Sequence, residues 1–160
     1  MAHGGVERDP HPESMSELRA PRRQRILLAV DLTASSREAA NEAIELAKHD
    51  GAELVVLSVV EQHNLHLPGG GARRVDQERD RLAAGAQTIV RQAREAGVRA
   101  TYLVWEGDPA EAILDASRAE EAGVIVLGSR PRLNVRRLIL GSVSSEVAKR
   151  ATCDVIVVPG

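Results

Sequence analysis

One segment of the chain combines glycines and hydroxyl side chains in a spacing that suits the binding of an anion. It starts at Gly128, after an apolar run, and ends with Gly141, Ser142, Val143 and Ser144 at the beginning of a predicted helix. The first amide groups of a helix have no partner inside the helix, and the helix dipole adds positive charge there. A phosphate group is therefore the ligand that this helix start favours. Gly128 has no side chain and would let a ligand approach the backbone closely.

Charged side chains near this segment leave two interpretations open. Asp31 ends the first apolar run, where it could help to hold a ligand and its Mg²⁺ or could cap the next helix. Arg130 and Arg132 could grip phosphate oxygens through forked hydrogen bonds, or could simply be solvated on an exposed loop.

Other candidate chemistry is weaker. His63 and His66 are spaced like part of a metal site, but the sequence offers no third ligand, so a solvated loop is the preferred interpretation. Ser142 and Ser144 have no histidine or acid placed near them, and no catalytic residue is predicted. Neither a Gly-rich dinucleotide fingerprint nor a P-loop occurs in the sequence.

Five short apolar runs, separated by helical patterns, must position these residues. The runs are Ile26 to Asp31, Leu54 to Val60, Val98 to Trp105, Val124 to Leu127 and Val155 to Val158. The pattern predicts an α/β fold, a single doubly wound five-stranded parallel sheet with helices on both faces. Ligands of such sheets bind beyond the carboxyl ends of the strands, where the winding direction reverses. The loops after strands one and four are therefore the expected site.

The predicted helices carry recognisable start signals. Ser35 and Glu38 form a capping-box pair for the first helix, which ends at Gly51. A long helix is predicted from 75 to 96, and a last one from 142 to 151. Another helix is predicted between these two. Asp108 is its N-cap, Pro109 is its first residue, and the side chain of Glu111 is expected to reach back to the start of the helix.

Composition limits the function classes. The 21 basic and 23 acidic residues give no positive field of the kind that nucleic-acid binding requires. No segment is long and apolar enough to cross a membrane, and Cys153 is the only cysteine, so a cytoplasmic protein is expected. Residues 1–24, rich in proline, glycine and charge, are predicted to be a disordered tail, and residues 25–160 one domain.

From Arg25 to Pro159 the chain resembles the universal stress protein family. The similar branch has an ATP loop of Gly, two residues, Gly, nine residues, Gly and then Ser or Thr, and Gly128, Gly141 and Ser142 match it. Pro131 stands where the family has its second glycine, which removes an amide hydrogen and fixes φ at about −65°. Further similar stretches are Val30-Asp31, the Gly-Asp-Pro-Ala-Glu at 107–111, and 138–144.

The resemblance implies a fold like that of the adenine nucleotide alpha hydrolases and a site for ATP, with Mg²⁺ near Asp31. Asp31 would lie near the ribose and phosphates, and Val59 would meet adenine through its backbone. The full set of expected nucleotide-binding residues is Asp31, Leu32, Thr33, Val59, Leu127, Gly128, Arg130, Arg132, Gly141, Ser142, Val143 and Ser144.

Three functions remain open from the sequence. The first is an ATP-binding stress-response regulator that acts as a homodimer with little or no catalysis. The second is a non-binding dimeric interaction module in which Pro131 and its loop close the pocket, and the third is a slow ATPase. The dimer would form through strand five, Val155, Ile156, Val157 and Val158, if that strand is the edge of the sheet.

Overall fold

The computed structural model describes residues 25–61, 71–129 and 141–159. Its strands are β1 (Arg25–Ala29), β2 (Glu53–Glu61), β3 (Ala100–Gly107), β4 (Val124–Ser129) and β5 (Asp154–Pro159). Its helices are α1 (Ala34–Asp50), α2 (Gly71–Glu95), α3 (Pro109–Ala119) and α4 (Ser142–Arg150). The predicted tail, His63, His66 and the segment with Arg130, Pro131 and Arg132 lie outside the described residues.

All strand pairs are parallel, and the strands lie in the order β3-β2-β1-β4-β5. The chain runs outward from β1 to β3 and then returns to the other side of β1 to add β4 and β5. The winding direction therefore reverses between β1 and β4, where Ala29 lies opposite Leu127. This confirms the doubly wound α/β fold and brings the carboxyl ends of these two strands together.

The core consists of two apolar layers, one on each face of the sheet. Helices α1 and α2 cover one layer, which includes the fully buried Leu28, Val56 and Val124. Helices α3 and α4 cover the other, which includes Leu27 and Ile125. Because the side chains of both faces are aliphatic, the strands read as nearly continuous apolar runs in the sequence.

The start of α1 differs from the prediction. The helix begins at Ala34 with Thr33 as its N-cap, so the Ser35–Glu38 capping box is wrong. The reason is Asp31, whose carboxylate accepts hydrogen bonds from the backbone and side chain of Thr33 and starts the helix two residues earlier. Ser35 is consequently a buried residue of the first turn.

The start of α3 agrees better with its prediction. The side chain of Asp108 accepts a 3.0 Å hydrogen bond from the amide of Glu111, and Pro109 is the first helical residue, which confirms this cap. The expectation that Glu111 reaches back is wrong, because its carboxylate pairs with Arg150 of α4. Helix α2 begins at Gly71, which is earlier than the sequence pattern predicts. Strand β3 begins at Ala100, which is later than predicted.

Within the described ranges, no helix is both long and apolar enough to cross a bilayer.

Candidate binding cavity

A cavity of about 330 Å³ opens where the winding direction of the sheet reverses. Part of the lining comes from the ends of the strands and the residues just after β1: Ala29, Val30, Asp31, Leu57, Val59, Glu61, Leu127, Gly128 and Ser129. The rest comes from the helices and the N-cap of α4: Ser35, Ser36, Pro109, Ile113, Gly141, Ser142, Val143 and Ser144. Its size and its mixed apolar and polar lining are typical of sites for small molecules.

Helix α4 begins at one wall of this cavity. Its N-cap is Gly141, which has no side chain to cap the helix, and the first turn contains no acidic residue. The hydroxyl of Ser144 donates to the carbonyl oxygen of Gly141 at 3.2 Å, so it turns back to the helix start. The amides of Ser142 and Val143 are among those that have no acceptor within a helix, and they lie where an anion could accept from them.

A hydrogen-bonded turn around Asp31 forms the opposite wall. The Oδ1 atom of Asp31 accepts from the amide of Thr33 at 3.0 Å and from the hydroxyl of Ser36 at 2.6 Å. The hydroxyl of Ser36 in turn accepts from the amide of Asp31 at 3.0 Å. Asp31 therefore both organises the start of α1 and lines the cavity, so the two interpretations of this carboxylate are compatible.

Leu32 and Thr33 do not line the cavity. Thr33 donates to Asp31 and shares a 3.1 Å contact with the hydroxyl of Ser35. Leu32 has a φ of 64°, which is rare for a residue with a side chain, and points its side chain at Gly85 of α2. Both residues support the site without facing it.

The backbone at Gly128 lies against the first turn of α1. A Cβ atom at this position would lie 2.6 Å from the carbonyl oxygen of Ser35, which is too short for a contact between a carbon atom and an oxygen atom. Close packing of helix on strand therefore requires this glycine, independently of any ligand. The expectation that Gly128 admits a ligand rests on its place in the cavity wall.

Sequence reasoning missed Ser129, which lines the cavity just after Gly128. Its side chain is 2% exposed, and among the described residues its hydroxyl has no hydrogen-bond partner. An unpaired buried hydroxyl costs free energy, so a polar ligand that pairs with it would recover a favourable interaction. The only sequence signal was a serine after the glycine that ends an apolar run.

Eight other lining residues were also missed. They are Ala29, Val30, Ser35, Ser36, Leu57, Glu61, Pro109 and Ile113. Most are core or helix-start residues in the sequence, and only the packing of α1 and α3 against the strand ends turns them toward one space. Residues that the structure brings together as predicted are Asp31, Val59, Leu127, Gly128, Gly141, Ser142, Val143 and Ser144.

The charge of the described lining is negative. Asp31 and Glu61 contribute carboxylates, and no lysine or arginine of the described chain lines the cavity. The predicted phosphate ligands Arg130 and Arg132 lie outside the described residues. Attraction of an anion to the described part of the site therefore depends on the amides of α4.

An ion pair joins the two helices that flank the cavity. The guanidinium of Arg150 in α4 hydrogen-bonds to the carboxylate of Glu111 in α3, and it lies 3.2 Å from Glu146. The hydrogen bond from Arg150 lowers the pKa of Glu111 below the usual value for a glutamate. Because these side chains are exposed, the pair contributes little to stability.

No cluster of three or more metal-ligating side chains occurs in the described parts of the chain. Asp31 and Glu61 are the carboxylates of the cavity lining, and a carboxylate can serve as a ligand to Mg²⁺. Burial raises the pKa of the Cys153 thiol, which makes this cysteine a poor nucleophile.

Comparison with known proteins places the chain in a family. Residues 22–159 match the model of the universal stress protein family. Universal stress protein YxiE of Bacillus subtilis is 31% identical over 147 residues, which cover 84% of this chain and 97% of that protein.

Solved structures agree with this match. Universal stress protein UspA from Lactobacillus plantarum has a TM-score of 0.75 and 26% identity over 86% of this chain and 98% of its own. The universal stress protein from Archaeoglobus fulgidus in complex with dAMP has a TM-score of 0.65 and 24% identity, and covers 84% of this chain and 97% of its own. The chain belongs to the universal stress protein family.

Proposed function

We propose that the protein binds an adenine nucleotide, ATP in the first instance, in the cavity between β1, β4 and α4, and acts as a stress-response regulator. The observation that carries this proposal is that one cavity is lined both by the start of α4 and by Ser129, whose buried hydroxyl has no hydrogen-bond partner among the described residues. Both features call for a polar ligand. The complex of a family neighbour with dAMP supports an adenine nucleotide as that ligand.

The lining suggests how the nucleotide lies. The phosphates would accept hydrogen bonds from the amides at 142–144, and the adenine would pack against the apolar side formed by Leu57, Val59 and Ile113. Asp31, on the opposite wall, would meet the ribose or a phosphate-bound Mg²⁺. Arg130 and Arg132, in the part of the chain before α4 that lies outside the described residues, are proposed to add positive charge.

A regulator with little or no turnover fits the described lining better than an enzyme. The Ser144 hydroxyl is engaged with the carbonyl of Gly141, and the carboxylate of Asp31 with Thr33 and Ser36. Neither hydroxyl nor carboxylate is arranged as a nucleophile beside a general base. ATP binding would then act through a change in conformation or assembly.

Bound nucleotide can be tested directly. The purified protein is denatured, and any released nucleotide is identified by mass; nucleotide-free protein is then titrated with ATP and Mg²⁺ by calorimetry. Gly141→Val is the test variant, since its Cβ would meet no atom of the described residues closer than 3.8 Å, whereas its side chain would occupy the space of a phosphate. We expect binding by the wild type and loss of binding by the variant.

The negative charge of the described lining favours a second candidate, a non-binding member of the family that acts as an interaction module. Asp31 and Glu61 would repel phosphates if the loop containing Pro131 supplied no compensating charge. A wild-type protein that releases no nucleotide and gives no heat with ATP would support this candidate over the first.

We also propose a cytoplasmic homodimer formed through β5. This strand is an edge of the sheet, and Val155, Ile156 and Val157 are only half-buried although they are apolar. An apolar edge of this kind invites pairing with a second copy. Val157→Lys should yield a monomer by sedimentation velocity, and an unchanged sedimentation coefficient would contradict the proposed interface.

A further inference from the structure

The turn that presents Asp31 is held from behind by helix α2. The side chain of Leu32 is seated on Gly85, so closely that a Cβ atom at Gly85 would lie 2.3 Å from one terminal methyl of Leu32 and 2.7 Å from the other. Gly85 lies on the inner face of α2, beside the buried Leu82 and Ala86. The contact therefore joins the turn after β1 to the middle of α2.

Each of these residues is unfavourable in its local context. Leu32 has a φ of 64°, a left-handed conformation that side chains disfavour. Gly85 lies inside a 25-residue helix, where glycine is a poor helix former. When two neighbouring elements each depart from local preference at the point where they touch, the contact between them is the simplest reason for both choices.

Leu32 also lies between Asp31 and Thr33, the two residues whose hydrogen bonds form the turn at the cavity. On one side Asp31 lines the cavity, and on the other Thr33 donates its amide and hydroxyl to the Asp31 carboxylate. A shift of Leu32 would therefore displace the carboxylate and its donor together. The hydrogen bonds to Ser36 hold the turn to α1, and the Leu32 side chain holds it to α2.

We propose that Leu32 is a positioning residue, whose insertion over Gly85 fixes Asp31 at the cavity wall and so makes helix α2 a determinant of nucleotide affinity. No described residue of α2 lines the cavity, so this influence passes through Leu32. The proposal rests on the proposed nucleotide-binding function of the same cavity. It extends that function to a helix that makes no contact with the ligand site.

A double-mutant cycle tests the contact. Gly85→Ala places a methyl group where the tip of Leu32 lies, and Leu32→Ala removes that tip, so each change alone disturbs the turn and the two together partly restore complementary packing. We expect each single variant to bind ATP with Mg²⁺ about tenfold more weakly than wild type, and the double variant to bind more tightly than either. Ala84→Gly, at an exposed position of the same helix, is the control for helix stability and should keep wild-type affinity.

Amide hydrogen exchange in the nucleotide-free protein gives a second readout that needs no ligand. The amides of Asp31 and Thr33 donate to Ser36 and Asp31, so Gly85→Ala and Leu32→Ala should both speed their exchange while Ala84→Gly should not. If wild type binds ATP and both single variants match it in affinity and exchange, or if the two effects simply add, the inference is overturned. If wild type binds no nucleotide, the proposed function fails, and the exchange of these two amides alone decides whether Leu32 positions the turn.

Discussion

The two glycines that border the cavity look equivalent in the sequence, but the packing of the described residues demands glycine at only one of them. A side chain at Gly128 would collide with the backbone of Ser35, so the packing of α1 on β4 demands glycine there. Among the described residues, a Cβ atom at Gly141 would meet only the Ser144 hydroxyl, at 3.8 Å, and the φ of −65° at this position suits any residue. The packing of the described residues therefore accounts for Gly128 but not for Gly141.

The same contrast extends to the groups around each glycine. On the α1 side, the hydroxyl of Ser36 donates a hydrogen bond to the carboxylate of Asp31, so the polar groups of this wall bond to each other. On the α4 side, the hydroxyl of Ser129 has no hydrogen-bond partner among the described residues, and the first amides of the helix have no acceptor within it. One wall is thus built by folding, and the other is suited to be completed by a ligand.

The largest expected effect separates the two glycines by stability. Gly128→Ala should lower the free energy of unfolding by about 2–3 kcal/mol, because the backbone of Ser35 cannot move away easily. Gly141→Ala should cost less than about 1 kcal/mol, the effect of a weaker N-cap. Urea denaturation of both variants measures the difference, and equal losses would show that the two positions are under the same packing constraint.

A second prediction compares the two buried unpaired hydroxyls of the described chain. Ser129→Ala should leave stability unchanged or raise it by up to about 1 kcal/mol, yet weaken ATP binding about fivefold, because a ligand hydrogen bond is lost. Ser58→Ala is the matched control, since Ser58 is fully buried but does not line the cavity, and its affinity should equal that of wild type. Calorimetry and urea denaturation provide the two readouts. If both variants bind ATP with the same affinity, Ser129 does not contact the ligand.

The smallest effect concerns the ion pair between the helices on the α4 side. The pKa of Glu111 is lowered in the folded protein, so its contribution to stability is present above its unfolded pKa of about 4.5 and is lost as the pH falls through the folded value. Glu111→Gln should therefore lose less stability than wild type between neutral and strongly acidic pH. Because Glu111 and Arg150 are exposed, the difference should be small and should shrink in high salt. Identical pH profiles would mean that Arg150 does not hold the folded carboxylate.

The sequence was sufficient for the architecture because aliphatic runs and helix caps are local signals. The alternation of strands and helices predicted the sheet, and Asp108 with Pro109 predicted the start of α3. The prediction for α1 failed because Ser35 and Glu38 imitate a capping box, whereas the carboxylate of Asp31 controls the turn.

The cavity was only partly predictable for a different physical reason. Its glycine and hydroxyl residues follow strand ends or open a helix, which the sequence reveals. Ile113 and Ser36 enter the lining only because α3 and α1 pack across the ends of distant strands. The contact of Leu32 with Gly85 joins residues far apart in the chain, and no local pattern marks it.

An NMR titration of the isotope-labelled, nucleotide-free protein with ATP and Mg²⁺ tests the central claim most directly. The account predicts that the amide resonances of Ser142, Val143 and Ser144 show the largest chemical-shift changes, and that these changes saturate at the same ATP concentration. The amide resonances of residues 97–101, at the opposite end of the sheet, should not change. Saturable shifts confined to any other surface, or no shift at the start of α4, would contradict a nucleotide site in this cavity.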